Sequence, residues 1–109
     1  MISQIDPPAL AEARNSGAAL ALLDVREAWE FELAHIDGSV NIPMSALTSS
    51  VDEVHALQGD GELVLVCHHG SRSMYCAQFL AQRGLSDLVN LRGGINAWSQ
   101  TVDPSVPRY

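Results

Sequence analysis

The stretch Leu63-Val64-Leu65-Val66-Cys67-His68-His69-Gly70-Ser71-Arg72-Ser73 decides how this chain folds. Its first four residues are apolar, rich in β-branched side chains and bounded by turn residues, so 63–66 read as a buried strand. Beyond Ser73, Ala77, Leu80 and Ala81 recur at helical spacing, which predicts a helix over 74–82 that stops at Gly84. Residues 67–73 are therefore a strand-to-helix turn. Such a turn aims backbone N–H groups and the positive end of a helix dipole at one point. A cysteine at its mouth is expected to be held as the reactive thiolate. Arg72, five residues on, adds a fixed positive charge. The pattern is a nucleophilic cysteine in an anion-binding cradle.

Working outward, residues 20–25 form another continuous apolar strand, expected to be buried on both faces. Asp24 and Glu27 have the spacing of a capping box, and Trp29, Phe31 and Leu33 supply the packing surface of the helix they open. A short strand over 40–42 ends at Pro43, residues 45–57 are helical in pieces, and 58–61 make a turn. On the far side, 88–91 read as a strand, and Gly93-Gly94 break the chain before a helix bearing Ala97 and Trp98. At the start, 1–4 add a short edge strand. Asp6-Pro7 then mark the N-cap and first turn of a helix through Ala9, Leu10 and Ala13, ended by Asn15-Ser16-Gly17. The tail 101–109, with Pro104 and Pro107, reads as extended or loosely packed. Strands alternating with helices predict an α/β fold, a three-layer α/β/α sandwich on a five-stranded parallel sheet. We expect a single domain over 1–109 with its core at about 18–100. Ligands of such sheets bind beyond the carboxyl ends of strands. The cysteine turn and Asp24-Val25-Arg26 both lie there.

Composition narrows the class. A hydrophobic share of 47% with a mean hydropathy of +0.06 fits a soluble globular domain. No apolar run approaches the roughly 20 residues that span a bilayer, and no secretory signal is visible, so a cytoplasmic location is expected. A net charge of −7 argues against nucleic acid or an anionic membrane as partner. The chain has no lysine, which excludes Schiff-base chemistry and a lysine-bearing phosphate loop. Cys67 and Cys76, nine residues apart, match no metal or redox spacing and suit a reducing compartment.

Several blocks together carry a family resemblance. Leu23-Asp24-Val25-Arg26-Glu27 with Glu30 and Phe31, then His35-Ile36-Asp37-Gly38-Ser39-Val40-Asn41-Ile42-Pro43, then Leu91-Arg92-Gly93-Gly94-Ile95-Asn96-Ala97-Trp98, resemble the signature segments of the rhodanese family. Cys67 to Ser73 sit where that family carries its active-site loop. Ala34 stands where the family often has glycine, a departure that bears on the local turn. The resemblance implies a single-domain thiosulfate sulfurtransferase in which Cys67 takes a sulfane sulfur as a persulfide, with no cofactor. His68, His69, Gly70, Ser71, Arg72 and Ser73 would line the substrate pocket. The partners implied are a small anionic sulfur donor and a thiophilic acceptor, cyanide or a thiol, the latter including a sulfur-carrier or thioredoxin-like protein. Two other functions are carried beside it. One is a persulfide sulfur carrier for cofactor or tRNA thiolation, since Cys-His-His-Gly and the ending 102–109 resemble rhodanese domains joined to activating enzymes. The other is a non-catalytic binding module, against which the intact cysteine loop argues.

Rival assignments follow from the same residues. Cysteine-dependent phosphatases place one residue more between cysteine and arginine, and the tighter loop here suits a sulfur atom better than a tetrahedral phosphate. His68-His69 beside a cysteine invite a zinc reading, but adjacent side chains in a tight turn are expected to diverge, and no second ligand pair exists. Cys76 reads as helix packing and His35 as a turn-fixing residue. Trp29 and Trp98 read as core aromatics. Asp24 and Arg26 read as a cap and an ion pair. Arg72 is expected to offer a forked pair of donors to the oxygens of thiosulfate.

Overall fold

The computed structural model describes residues 2–109. Five strands, β1 (Ser3–Ile5), β2 (Leu20–Asp24), β3 (Val40–Asn41), β4 (Glu62–Val66) and β5 (Leu88–Leu91), form one sheet in the order β1-β5-β4-β2-β3. Every pairing is parallel. The expected edge strand is β1, paired to β5 from Ser3 to Ile5; Met1 lies outside the described residues.

The helices are α1 (Pro7–Asn15), α2 (Ala28–Leu33), α3 (Val51–Gln58), α4 (Ser71–Gln82) and α5 (Gly94–Thr101), with a 3-10 turn at Met44–Ser49. Strand periodicity divides the core into two layers. Leu23, Leu63, Leu65 and Leu88 face α3, α4 and the 3-10 turn, where Leu47, Val54, Ala77 and Leu80 are buried. Their neighbours Leu22, Val64, Val66 and Leu91 face α1 and α5, where Leu10, Ile95 and Trp98 are buried. A strand that alternates between two buried faces has no polar face, which is why β4 reads as an unbroken apolar run.

β4 occupies the centre of the sheet, between β5 and β2. From β4 the chain continues towards β5 on one side, and from β2 it continues to β3 on the other. The carboxyl ends of β4 and β2 thus flank a reversal of winding, the place where open α/β sheets form their crevice.

Three local expectations are corrected. The capping box does not begin at Asp24. β2 runs through Asp24, whose Cα pairs with Val66, and its carboxylate is consumed by Arg26. The box sits three residues on, with Glu27 as N-cap of α2 and the Glu30 carboxylate accepting the Glu27 N–H at 3.0 Å. Trp29 is 63% exposed and Leu33 48%, so neither belongs to the core. Asp6 is the N-cap of α1 and Pro7 opens the helix as expected, but the Asp6 side chain makes no capping hydrogen bond and pairs with Arg92 at 2.9 Å instead. The departure at Ala34 has no conformational cost, since its φ of −161° is extended backbone open to any residue.

Candidate active site

Cys67 follows β4 directly and is 1% exposed. The Gly70 N–H donates to its Sγ at 3.1 Å, and the Ser73 Oγ lies 3.2 Å from it. Gly70 turns the chain back with φ of +104°, a left-handed conformation that glycine adopts without a Cβ penalty. It caps α4, so the free N–H groups of that helix start beside the sulfur. Cys76, the other free cysteine, is fully buried on α4, and burial pushes its thiol up to about 11. Only one of the two thiols is placed to react.

The loop is held from β5 and α5. The first turn of α5 donates Ile95 N–H to the Cys67 carbonyl at 2.9 Å and Asn96 N–H to the His68 carbonyl at 3.1 Å. This approach needs glycine at 94, because a Cβ there would collide with the carbonyls of Cys67 and His68. Asn90, buried on β5, accepts from the Ser73 hydroxyl through Oδ1. Its Nδ2 donates to the Gly70 carbonyl at 3.2 Å and to Gln4 Oε1 at 3.0 Å. Asn90 was not among the residues expected at the site. A polar residue inside an otherwise apolar strand was the available signal.

The β2 side is a buried charge network. Asp24 and Arg26 are both fully buried and pair at 2.6 Å, as the ion-pair expectation had it. Arg26 spends its remaining donors on Ala34 O, Glu30 O and the Tyr109 hydroxyl. Glu30 then grips Arg72 with both oxygens, at 2.8 and 2.9 Å. That pairing, opposed by burial and aided by the Glu27 N–H and the Tyr109 hydroxyl, holds the Glu30 carboxyl at about 2. Arg72 was expected to be a free fork for substrate oxygens. Both of its Nη atoms are instead committed to Glu30, so its charge shapes the field at Cys67 while its fork is occupied.

The tail is the largest departure from expectation. It is neither loose nor remote. Val106 is buried, and the Ser99 hydroxyl donates to its carbonyl. Tyr109 then reaches the site: its hydroxyl accepts from Arg26 Nη1 at 2.8 Å and donates to Glu30 Oε1 at 2.9 Å. Its ring stacks on His68 at 4.0 Å and 5°, and Trp29 meets it edge-on at 6.2 Å. His68 in turn packs against His69 with ring centroids 4.0 Å apart and planes tilted by 30°, so the two imidazoles stay together and do not diverge. Burial, then the neighbouring His69, lowers the basicity of His68. Among the described residues no three His, Cys, Asp or Glu side chains gather to hold a metal ion. His35 fixes its turn as expected, through the Phe31 carbonyl at 2.8 Å. Ser71 and His69 are exposed at the mouth of the loop.

A buried sulfur that receives a backbone N–H, next to a helix start, can carry negative charge before and after it is substituted. That is the requirement for a covalent nucleophile working on anions. The model of the rhodanese-like domain matches residues 6–101. The "Probable adenylyltransferase/sulfurtransferase MoeZ" of Mycobacterium tuberculosis is 38% identical over 107 residues, covering 98% of this chain and 27% of that protein. This chain therefore spans about a quarter of that relative's length. "Thiosulfate sulfurtransferase GlpE" of Pseudomonas fluorescens is 35% identical over 96 residues, 87% of this chain and 84% of that one. Among solved structures, a rhodanese-related protein from Thermoplasma volcanium superposes with a TM-score of 0.74 at 32% identity, covering 92% and 93% of the two chains.

Proposed function

The chain belongs to the rhodanese-like domain family, and from that premise we propose that it is a sulfurtransferase that moves a sulfane sulfur from thiosulfate to a thiol or cyanide through a persulfide at Cys67. The observation that carries the reading is the Gly70 N–H donated to a buried Sγ at the start of α4, with the Ser73 Oγ 3.2 Å from the same sulfur. In the first half-reaction the Cys67 thiolate attacks the outer sulfur of thiosulfate. A sulfur–sulfur bond forms to Sγ, the bond to the sulfonate sulfur breaks, and sulfite leaves with the electron pair. Charge is conserved, and the persulfide keeps the single negative charge that the thiolate brought. In the second half-reaction the acceptor takes the outer sulfur and the thiolate returns. The loop needs no strong general base for either step, which fits a His68 whose basicity is lowered by burial.

Two half-reactions sharing one covalent intermediate predict ping-pong kinetics. Initial rates with thiosulfate and cyanide varied together are expected to give parallel double-reciprocal lines, with sulfite released once per site when cyanide is left out. Intersecting lines, with no sulfite unless cyanide is present, would overturn the covalent route.

A second reading shares the persulfide and differs in the acceptor, a sulfur-carrier or thioredoxin-like protein in place of cyanide. What favours it is the likeness to MoeZ, a relative named for adenylyl and sulfur transfer together. Both cysteines are free, the state that a cytoplasmic location sustains.

A further inference from the structure

An anionic donor must be held while its outer sulfur meets Cys67, and the arginine nearest the cysteine is not free to hold it. The chain's six cations are all arginines. Arg26 is fully buried and saturated by Asp24, backbone carbonyls and Tyr109. Both Nη atoms of Arg72 are held by Glu30. Arg14 reaches the Asp37 carbonyl, Arg83 lies over Phe79 beyond the far end of α4, and Arg108 turns to Asn96. On the β2 side the loop is walled by the Tyr109–His68 stack and the Glu30–Arg72 pair.

The opposite side is open. A groove of about 350 Å³ runs beside the loop, lined by His69, Gly70 and Ser71 together with Gln4, Met74 and Arg92. Gly70, whose N–H reaches Sγ, is part of its wall. The backbone continues the contact, since a Cβ on Gly70 would stand 3.2 Å from the Gly93 nitrogen, next to Arg92. Arg92 is the one cation lining the groove. Its partner is Asp6, at 2.9 Å, and the two side chains are 60% and 59% exposed. A pair so exposed is worth little in water, and a dianion can displace Asp6 without stripping a buried partner.

We propose that Arg92 binds the anionic end of the sulfur donor in this groove, so that the donor enters from the β1–β5 side of the loop. The inference rests on the sulfurtransferase reading for the identity of the donor, but not for the existence of the anion site. A guanidinium offers two parallel N–H groups to a sulfonate or carboxylate. Against a net charge of −7, a local cation also draws a dianion towards the loop.

Two readouts separate the site from the reaction. With thiosulfate as donor, Arg92→Gln is expected to raise KM about tenfold with kcat within about twofold. Asp6→Asn, which frees the guanidinium, is expected to lower KM. Independently of turnover, Cys67 can be alkylated with anionic iodoacetate and with neutral iodoacetamide on a Cys76→Ser background. Arg92→Gln is expected to cut the iodoacetate-to-iodoacetamide rate ratio about fivefold, while Arg83→Gln, the same charge change elsewhere, leaves it as in the parent. If the protein proves inert to thiosulfate, the ratio still reads the anion site. An unchanged ratio in Arg92→Gln, or a ratio lost in Arg72→Gln and kept in Arg92→Gln, overturns the proposal.

Discussion

Glu30→Gln tests the charge network that walls the cysteine loop. The wild-type carboxylate accepts four hydrogen bonds: two from Arg72, one from the Glu27 N–H and one from the Tyr109 hydroxyl. A glutamine keeps one oxygen and turns an NH2 group towards donors, so two of the four are lost and Arg72 keeps no counter-charge. Glu30 is 5% exposed and its carboxyl is depressed from 4.5 to about 2, which corresponds to about 3 kcal/mol in favour of the ionised form. Arg72, with its side chain 34% exposed, is partly screened by water, so about 2 kcal/mol is the expected cost of the substitution at neutral pH. For a domain of this size that lowers Tm by about 10 °C. The sign with pH follows from the depression. The contribution is fully present above the unfolded value of 4.5 and is lost as pH falls towards 2. Urea unfolding followed by circular dichroism at pH 7 and pH 3 is the assay. The stability gap between wild type and variant is expected to shrink from about 2 to about 1 kcal/mol. A gap that is the same at both pH values, or below about 0.5 kcal/mol at pH 7, would refute the argument, since neither is compatible with an ionised Glu30 holding Arg72.

The other predictions concern single contacts. Tyr109→Phe keeps the ring on His68 but leaves Arg26 short of one acceptor, and a loss of about 1 kcal/mol in urea unfolding is expected; Tyr109→Ala also removes the stack and is expected to lose more and to shift the emission of Trp29. Asn90→Ala unties Ser73, Gly70 and Gln4 at once, so kcat is expected to fall about tenfold with KM for thiosulfate little changed. Gly94→Ala forces a Cβ against two loop carbonyls at a φ of +60°, and a destabilisation of about 2–3 kcal/mol is expected from chemical denaturation. With Cys76 fully buried and its thiol near 11, iodoacetamide at pH 8 is expected to label one cysteine of the folded protein, which peptide mapping would place at Cys67.

Much of what is local around the cysteine turn is legible in the sequence. The apolar run of β4, the glycine at 70 and the helical spacing of Ala77 and Leu80 locate the cysteine turn without reference to anything distant. Gly93-Gly94 mark the break before the last helix, but only the structure shows that Gly94 lies against the carbonyls of Cys67 and His68. The wall of the site was hidden because its contacts are distant in sequence: Glu30 meets Arg72 across 42 residues and Tyr109 across 79. No periodicity says which of many carboxylates will face an arginine. The capping box shows a different limit. Asp24 to Glu27 and Glu27 to Glu30 have the same spacing, and what decides between them is that β2 extends to Asp24 and hands its carboxylate to Arg26. Trp29 was misplaced for a related reason. Its helix has six residues, too few turns to show which face is buried.

The central claim is that Cys67 alone carries the sulfur in flight. Intact-mass spectrometry of the wild type, Cys67→Ser and Cys76→Ser after incubation with thiosulfate and no acceptor tests it most directly. The account predicts a gain of one sulfur atom in the wild type and in Cys76→Ser, reversed by cyanide, and no gain in Cys67→Ser. A gain that persists in Cys67→Ser, or that vanishes in Cys76→Ser with Cys67 intact and the protein folded, would contradict it.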